Sequence, residues 1–102
     1  MNATMTRDET IALLRRHADD IRGFAVTGLY LFGSTARGEE GPASDVDIFI
    51  DYDEEEFDFV RLIRLQEYLS DLLGRKVDLA TRSGLHPLIR DDVIAEAIPV
   101  FQ

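Results

Sequence analysis

The sequence predicts an α/β fold, in which short strands and amphipathic helices alternate along the chain. Apolar and polar residues alternate over 45–51, and short apolar segments at 27–32 and 75–80 are also typical of strands. Over 6–22 and 58–73, apolar residues recur at spacings of three and four, which is typical of helices that cover a sheet. With 102 residues, the chain is expected to form one domain spanning residues 1–102.

The first helix is predicted for Thr6–Arg22. Thr6 and Glu9 have the spacing of a capping box, in which each residue bonds a free amide of the other's backbone. Apolar residues follow at helical spacing: Ile11, Leu14, Ala18 and Ile21. Gly23 ends this pattern, and we expect the helix to cover the sheet without taking part in chemistry.

A turn with phosphate-binding character follows the first strand, Thr27–Phe32. Gly33 would let the backbone approach a ligand closely, and Ser34 suits the N-cap of a short helical turn over Thr35–Arg37. Backbone amides after such a cap point outward and favour phosphate. Residues 38–44 contain further glycine and proline and are expected to form a flexible loop.

The second strand, 45–51, is predicted to place two carboxylates on one face. Val46, Ile48 and Ile50 alternate with Asp45 and Asp47, so the acids share the face opposite the apolar residues. Two like charges this close repel, and a divalent cation would relieve the repulsion. Carboxylate oxygens suit Mg²⁺, which usually binds through one or two carboxylates together with substrate phosphates.

A third carboxylate and a cation are candidates for the same site. Asp78 lies between apolar residues of a strand predicted over 75–80, after a helix over 58–73 that ends at Gly74. It either joins the aspartate pair or is an exposed acid on an edge strand. Arg37 is either a phosphate ligand or an ion-paired surface residue. A last helix and strand are predicted over 85–97 and 98–101.

Charge and composition narrow the classes of partner. The net charge is −9, and half of the 20 acidic residues lie between positions 39 and 60, where there is no Lys or Arg. A nucleic-acid backbone is therefore not the expected partner. No apolar run approaches a membrane span, the first seven residues lack a hydrophobic signal, and the absence of cysteine is compatible with the cytoplasm.

Two segments, Gly33–Gly38 (GSTARG) and Ser44–Phe49 (SDVDIF), resemble the signature of the polymerase-beta-type nucleotidyltransferase superfamily. In length and in the sequence of its first motif, the chain is most similar to the minimal nucleotidyltransferases, the MNT antitoxins that are paired with HEPN toxins. The resemblance covers about residues 29–101, and the combined motif is specific.

The resemblance implies a nucleotidyltransferase fold, with a small mixed sheet flanked by helices. It also implies a site in which Gly33 and Ser34 grip the triphosphate of ATP, while Asp45, Asp47 and Asp78 hold two Mg²⁺ ions. The role of Arg37, which lies within the first motif, is carried over less firmly.

The resemblance further implies that AMP is transferred to a tyrosine of a HEPN ribonuclease toxin, in a homo- or hetero-oligomer. Two alternatives remain open at this point. In the first alternative, the chain is a non-catalytic antitoxin that neutralises its toxin by contact. In the second, it is a small-molecule nucleotidyltransferase of the antibiotic-modifying type. The second alternative is less favoured because larger relatives add a helical domain that shapes the pocket, and a chain of this length has no room for one.

Overall fold

The computed structural model describes residues 5–38 and 45–102, so the predicted loop over 38–44 lies, apart from Gly38, outside the described residues. The elements follow in the order α1 (Arg7–Arg16), α2 (Ala18–Arg22), β1 (Val26–Phe32), α3 (Gly33–Ala36), β2 (Val46–Tyr52), α4 (Phe59–Leu73), β3 (Val77–Thr81), a 3₁₀ turn (Arg82–Gly84), α5 (Pro87–Glu96) and β4 (Ile98–Phe101).

The four strands form one mixed sheet in the order β3-β2-β1-β4. β1 is antiparallel to both β2 and β4, whereas β2 and β3 are parallel and are joined through α4. The parallel register sets Asp47 opposite Asp78, and the antiparallel register sets Asp47 opposite Phe32. The predicted α/β architecture with a small mixed sheet is therefore confirmed.

Each face of the sheet has its own apolar cluster, because side chains of successive strand residues point to opposite faces. The larger cluster joins alternate residues of β1 and β2 to α1, α2 and α4; Leu14, Ile21, Leu65 and Leu69 are fully buried in it. The smaller cluster, which contains Tyr30, Phe49 and Leu85, is covered by α5.

The aspartates thus share their face with a buried aromatic residue. Phe49 is fully buried between Asp47 and Asp51 on β2, and its ring stacks on Tyr30 with the centroids 4.7 Å apart. The face carrying the predicted carboxylates is consequently polar only at the ends of β2.

Side chains cap both edge strands of the sheet. The backbone of Val77 in β3 donates to Ser70 Oγ at 3.2 Å and accepts from Gln66 Nε2 at 3.1 Å. In β4, Arg15 Nε donates to the carbonyl of Val100 at 2.9 Å. These bonds occupy backbone groups that would otherwise be open to pairing with another strand.

The predicted element positions are mostly correct, with one break. The capping box at Thr6 is present, but the first helix divides at His17 instead of running unbroken to Arg22. The amide of His17 donates to the carbonyl of Leu14, three residues back. This 3₁₀-type bond replaces the α-helical pattern and ends α1. Helix α4 matches the prediction; Asp58 caps it, and Gly74 ends it with φ of +65°.

No helix among residues 5–38 and 45–102 combines the length and apolar character needed to cross a bilayer.

Replacing Leu69 with alanine is expected to lower the free energy of unfolding by about 3 kcal/mol, because the side chain is fully buried under the sheet. Urea denaturation followed by circular dichroism measures this change. The matched control is Leu88→Ala on α5, where the side chain is 84% exposed and the change should stay within about 0.5 kcal/mol. Equal losses in the two variants would contradict the core assignment.

Candidate active site

Asp47 lies at the centre of the candidate site. It is half-buried on β2, with Asp78 of β3 opposite on one side and Phe32 of β1 on the other. Asp78 and Asp45 are exposed, so the site opens to solvent at the β3 edge of the sheet. Of the two interpretations of Asp78, an isolated surface acid and a neighbour of the aspartate pair, the pairing of β2 with β3 selects the second.

The electrostatics of Asp47 reflect this crowding. Burial, followed by the negative charges of Asp78 and Asp45, raises the pKa of the Asp47 carboxyl, while the positive charge of Arg37 lowers it. Four of the predicted site residues are therefore close enough to affect one ionisation. The net direction is upward, because burial and the two neighbouring acids together outweigh the charge of Arg37.

Gly33 approaches Asp47 so closely that any other residue would displace the Asp47 side chain. Its φ is +71°, and a β-carbon at this position would overlap the Asp47 carboxylate, lying 3.0 Å from Asp47 Cγ. This contact follows from the register: Phe32 pairs with Asp47, so the chain turns away from β1 directly beside it. The turn and the acidic strand, 14 positions apart in sequence, form one site.

The predicted N-cap role of Ser34 is wrong. The short helix α3 begins at Gly33, its N-cap is Phe32, and no side chain caps it. The Gly33 carbonyl accepts a bond from the Arg37 amide at 3.2 Å, so the helical turn starts two residues earlier than predicted and includes Ser34. Ser34 remains beside Gly33, half-buried, within the turn.

Arg37 combines features of both interpretations. Its guanidinium forms an ion pair with Glu96 at 3.8 Å, and both side chains are about half exposed, 47% and 54%. Such an exposed pair contributes little stability. Since Arg37 also lowers the pKa of Asp47, its charge reaches the site while it is tied to the end of α5.

Two charged residues beside the site were not singled out from the sequence. Lys76, just before β3, lies 3.8 Å from Asp45, and Glu96 holds Arg37 as described. Lys76 precedes Asp78 by two positions, and that spacing was the available signal for it. The sequence carries no comparable signal for Glu96, because its position depends on how α5 packs.

The donor set fits a divalent cation that arrives with a phosphate ligand. Within the described part of the chain, no three His, Cys, Asp or Glu side chains are arranged to hold a metal ion by themselves. The mutual repulsion of Asp45, Asp47 and Asp78 is nevertheless what a cation would relieve, and their oxygens are the donors that Mg²⁺ prefers. Because Mg²⁺ commonly completes its coordination with water and substrate phosphates, an incomplete protein cage is compatible with it.

A second polar cluster lies at the other end of the same face. Arg82 forms a bidentate ion pair with Asp51, in which Nε donates to Oδ1 at 2.7 Å and Nη2 donates to Oδ2 at 3.0 Å. The guanidinium also lies over the rings of Tyr30 and Phe49, 5.0 and 5.2 Å from their centroids. The bond to Arg82 lowers the pKa of Asp51, and burial raises the pKa of Tyr30. This cluster joins the 3₁₀ turn after β3 to β2 and was not anticipated from the sequence.

Comparison with known families and curated proteins gives consistent results. The model of the nucleotidyltransferase domain family matches residues 13–100. A Methanocaldococcus jannaschii protein, MJ1217, assigned as a protein adenylyltransferase, is 40% identical over 95 residues, covering 91% of this chain and 96% of that protein. The protein adenylyltransferase MntA of Thermococcus cleftensis is 39% identical, covering 96% of this chain and 99% of that protein.

Solved structures show the same fold. A structure described as a minimal nucleotidyltransferase superposes with a TM-score of 0.80 at 31% identity, covering 96% of this chain and 99% of that one. Two structures below 25% identity share the fold alone. One is a toxin-antitoxin with AMP-PNP (TM-score 0.67, 23% identity; 95% of this chain, 73% of that one). The other is a tri-AMPylated Shewanella oneidensis HEPN toxin with its MNT antitoxin (TM-score 0.64, 19% identity; 89% and 71%).

The signature at Gly33–Gly38 and Ser44–Phe49 lies inside the matched region, and the sheet brings its two halves together around Asp47. The chain belongs to the nucleotidyltransferase domain family, in its minimal form.

Proposed function

We propose that this chain transfers AMP from ATP to a hydroxyl group of a partner protein and so acts as an antitoxin. The observation that carries the proposal is the Asp47 environment, in which the Gly33 turn contacts one side of a carboxylate whose pKa is raised by burial and by two further acids. A glycine turn against clustered carboxylates suits a nucleotide triphosphate with its metal.

The relatives support a protein as the acceptor. Those reported above are named protein adenylyltransferases, and this chain covers nearly their full length. A structure of the same fold pairs an MNT antitoxin with a HEPN toxin that carries AMP groups. We infer that the partner here is also a HEPN-type toxin and that the acceptor is a tyrosine hydroxyl, with antitoxin and toxin forming a hetero-oligomer.

In the proposed step, the acceptor oxygen attacks the α-phosphorus of ATP. A bond forms between that oxygen and phosphorus, the bond from phosphorus to the bridging oxygen of pyrophosphate breaks, and pyrophosphate leaves with the electron pair. Asp78 accepts the hydroxyl proton, because it is exposed on the edge strand where a partner can reach it. The product is an AMP ester of the partner.

The remaining residues bind and orient the nucleotide. Gly33 and Ser34 contact the triphosphate through the turn, and Arg37 is a further phosphate ligand after exchanging its ion pair with Glu96. Asp45, Asp47 and Asp78 would hold Mg²⁺, two ions being the expected number. When bound, Mg²⁺ would supply positive charge to the leaving pyrophosphate and lower the pKa of the attacking hydroxyl.

Two broader features belong to the same proposal. We treat residues 1–102 as one domain, since both apolar clusters and all four strands share one sheet. Use of ATP as the substrate favours the cytoplasm as the place of the reaction.

Asp47→Asn is expected to reduce AMP transfer at least about 100-fold, since it removes a charge on which metal-nucleotide binding depends. The measurement is intact mass spectrometry of the protein encoded beside this chain, after incubation with Mg-ATP. The matched control is Asp71→Asn on the exposed surface of α4, which changes the net charge equally.

The same assay separates the alternatives. Adenylylation that disappears only in Asp47→Asn excludes a purely binding antitoxin. Neutralisation that survives Asp47→Asn, with no adduct on any partner, would refute the catalytic proposal. An adduct on a small-molecule aminoglycoside but on no protein would favour the antibiotic-modifying type.

Asp47→Asn is also expected to stabilise the fold at neutral pH. The pKa of Asp47 is raised above its ordinary 3.8, so the folded state binds the proton more tightly than the unfolded state. The native carboxylate therefore costs stability once the pH rises through the folded-state pKa, and asparagine removes that cost. Thermal unfolding from pH 3 to pH 7 tests this: the gain should be complete at pH 7, should shrink as the pH falls through the folded-state pKa, and should be absent below the ordinary pKa.

Gly33→Ala is expected to cost more stability than the left-handed backbone alone explains, and to reduce transfer about tenfold or more, because the β-carbon displaces Asp47. Gly74→Ala is the matched control: φ is +65° and no atom lies within 4 Å of the added β-carbon. It should cost about 1–2 kcal/mol and leave transfer unchanged. Equal losses of stability and activity in the two variants would contradict the contact between Gly33 and Asp47.

A further inference from the structure

A separate cavity of about 300 Å³ lies at the end of the sheet away from Asp47. Its walls come from the end of β2, the 3₁₀ turn and α5, and they include Asp51, Arg82, Ser83, Arg90 and Ile94. Asp51 is four residues beyond Asp47 on β2, about 13 Å along the strand, with buried Phe49 between them. The cavity is therefore distinct from the candidate active site.

One of the two arginines in this cavity is already neutralised. The Nε and Nη2 groups of Arg82 both donate to Asp51, and the guanidinium lies over the rings of Tyr30 and Phe49. Arg82 and Asp51 together add no net charge to the cavity.

Arg90 is not neutralised in this way. Its Nη2 donates to the carbonyls of Ser83 at 3.1 Å and Leu85 at 2.9 Å, but no ion pair joins Arg90 to a carboxylate among residues 5–38 and 45–102. Its Nε is buried and has no hydrogen-bond acceptor within the described part of the chain. A buried donor without an acceptor costs free energy, and a partly buried cation without an anion adds to that cost.

We propose that this cavity binds a small organic anion, a carboxylate carried on a short apolar group. The carboxylate accepts a hydrogen bond from the Arg90 guanidinium at Nη1, because the buried Nε is closed to solvent and Nη2 already donates to two carbonyls. The apolar group packs against Ile94, which lines the same cavity. Glu54, exposed and also in the lining, opposes the anion and limits the affinity. A mixed lining of apolar walls and a few directed polar groups is the usual composition of a small-ligand site.

The test uses the full chain labelled with ¹⁵N and titrated with sodium benzoate, with benzamide as the neutral isostere and sodium chloride as the ionic-strength control. The expected result is a saturable shift of the Arg90 Nε–Hε resonance and of the Ser83 amide, with a Kd of about 1 mM. Benzamide and chloride should leave both signals in place.

Two variants test the geometry without changing Arg90. Glu54→Gln removes the opposing charge and should tighten benzoate binding about twofold, whereas Glu55→Gln, the same change at an exposed neighbour outside the cavity lining, should not. Ser83→Trp fills the cavity and should weaken binding about tenfold or more.

Three results would overturn the proposal: no saturable shift up to about 50 mM benzoate, an equal response to benzamide, or equal effects of Glu54→Gln and Glu55→Gln. Because Glu54→Gln alters an exposed side chain, its result remains informative even if Ser83→Trp fails to fold.

Discussion

The parallel pairing of β2 with β3 is the constraint on which the candidate site depends. The Val46 amide bonds the Lys76 carbonyl at 2.9 Å, and from that bond the register runs Val46 to Val77 and Asp47 to Asp78. A shift of one residue would turn Asp78 to the opposite face, under α4. The crossover through α4, whose Ser70 and Gln66 bond the outer side of Val77, holds the register in place.

The site stores unfavourable electrostatic energy that the rest of the fold offsets. Asp47 lies against a glycine backbone, and burial together with two further acids raises its pKa. No requirement of folding calls for such clustering, because neutral residues at these positions would pack at lower cost. The cost is explained if the carboxylates meet positive charge during function, as the proposed metal-bound nucleotide would supply.

The two ends of β2 on the α5 face hold their charges in opposite ways. At the end with Asp47, several acids lie close together. The nearby cations form long ion pairs of 3.8 Å, Arg37 with Glu96 and Lys76 with Asp45. At the end with Asp51, one arginine satisfies the carboxylate completely with short bonds. Phe49 and Tyr30 separate the two ends. We infer that the first end suits a cationic ligand, whereas the ion pair at the second end stabilises the fold beside the cavity described above.

The sequence by itself determined the element types, the strand that carries Asp47, the turn at Gly33 and the α/β class, because each depends on local spacing or local backbone freedom. Asp45, predicted as the first residue of that strand, lies just before it. Tertiary structure decided the rest. Whether Asp78 joins the pair depends on which strand lies beside β2, and alternation alone left that open. The contact of Gly33 with Asp47, the pairing of Arg37 with Glu96 and the bond of Asp51 to Arg82 join residues 14 to 59 positions apart in the chain. Local patterns carry no information on such distances, since they are set only when the sheet and α5 pack together.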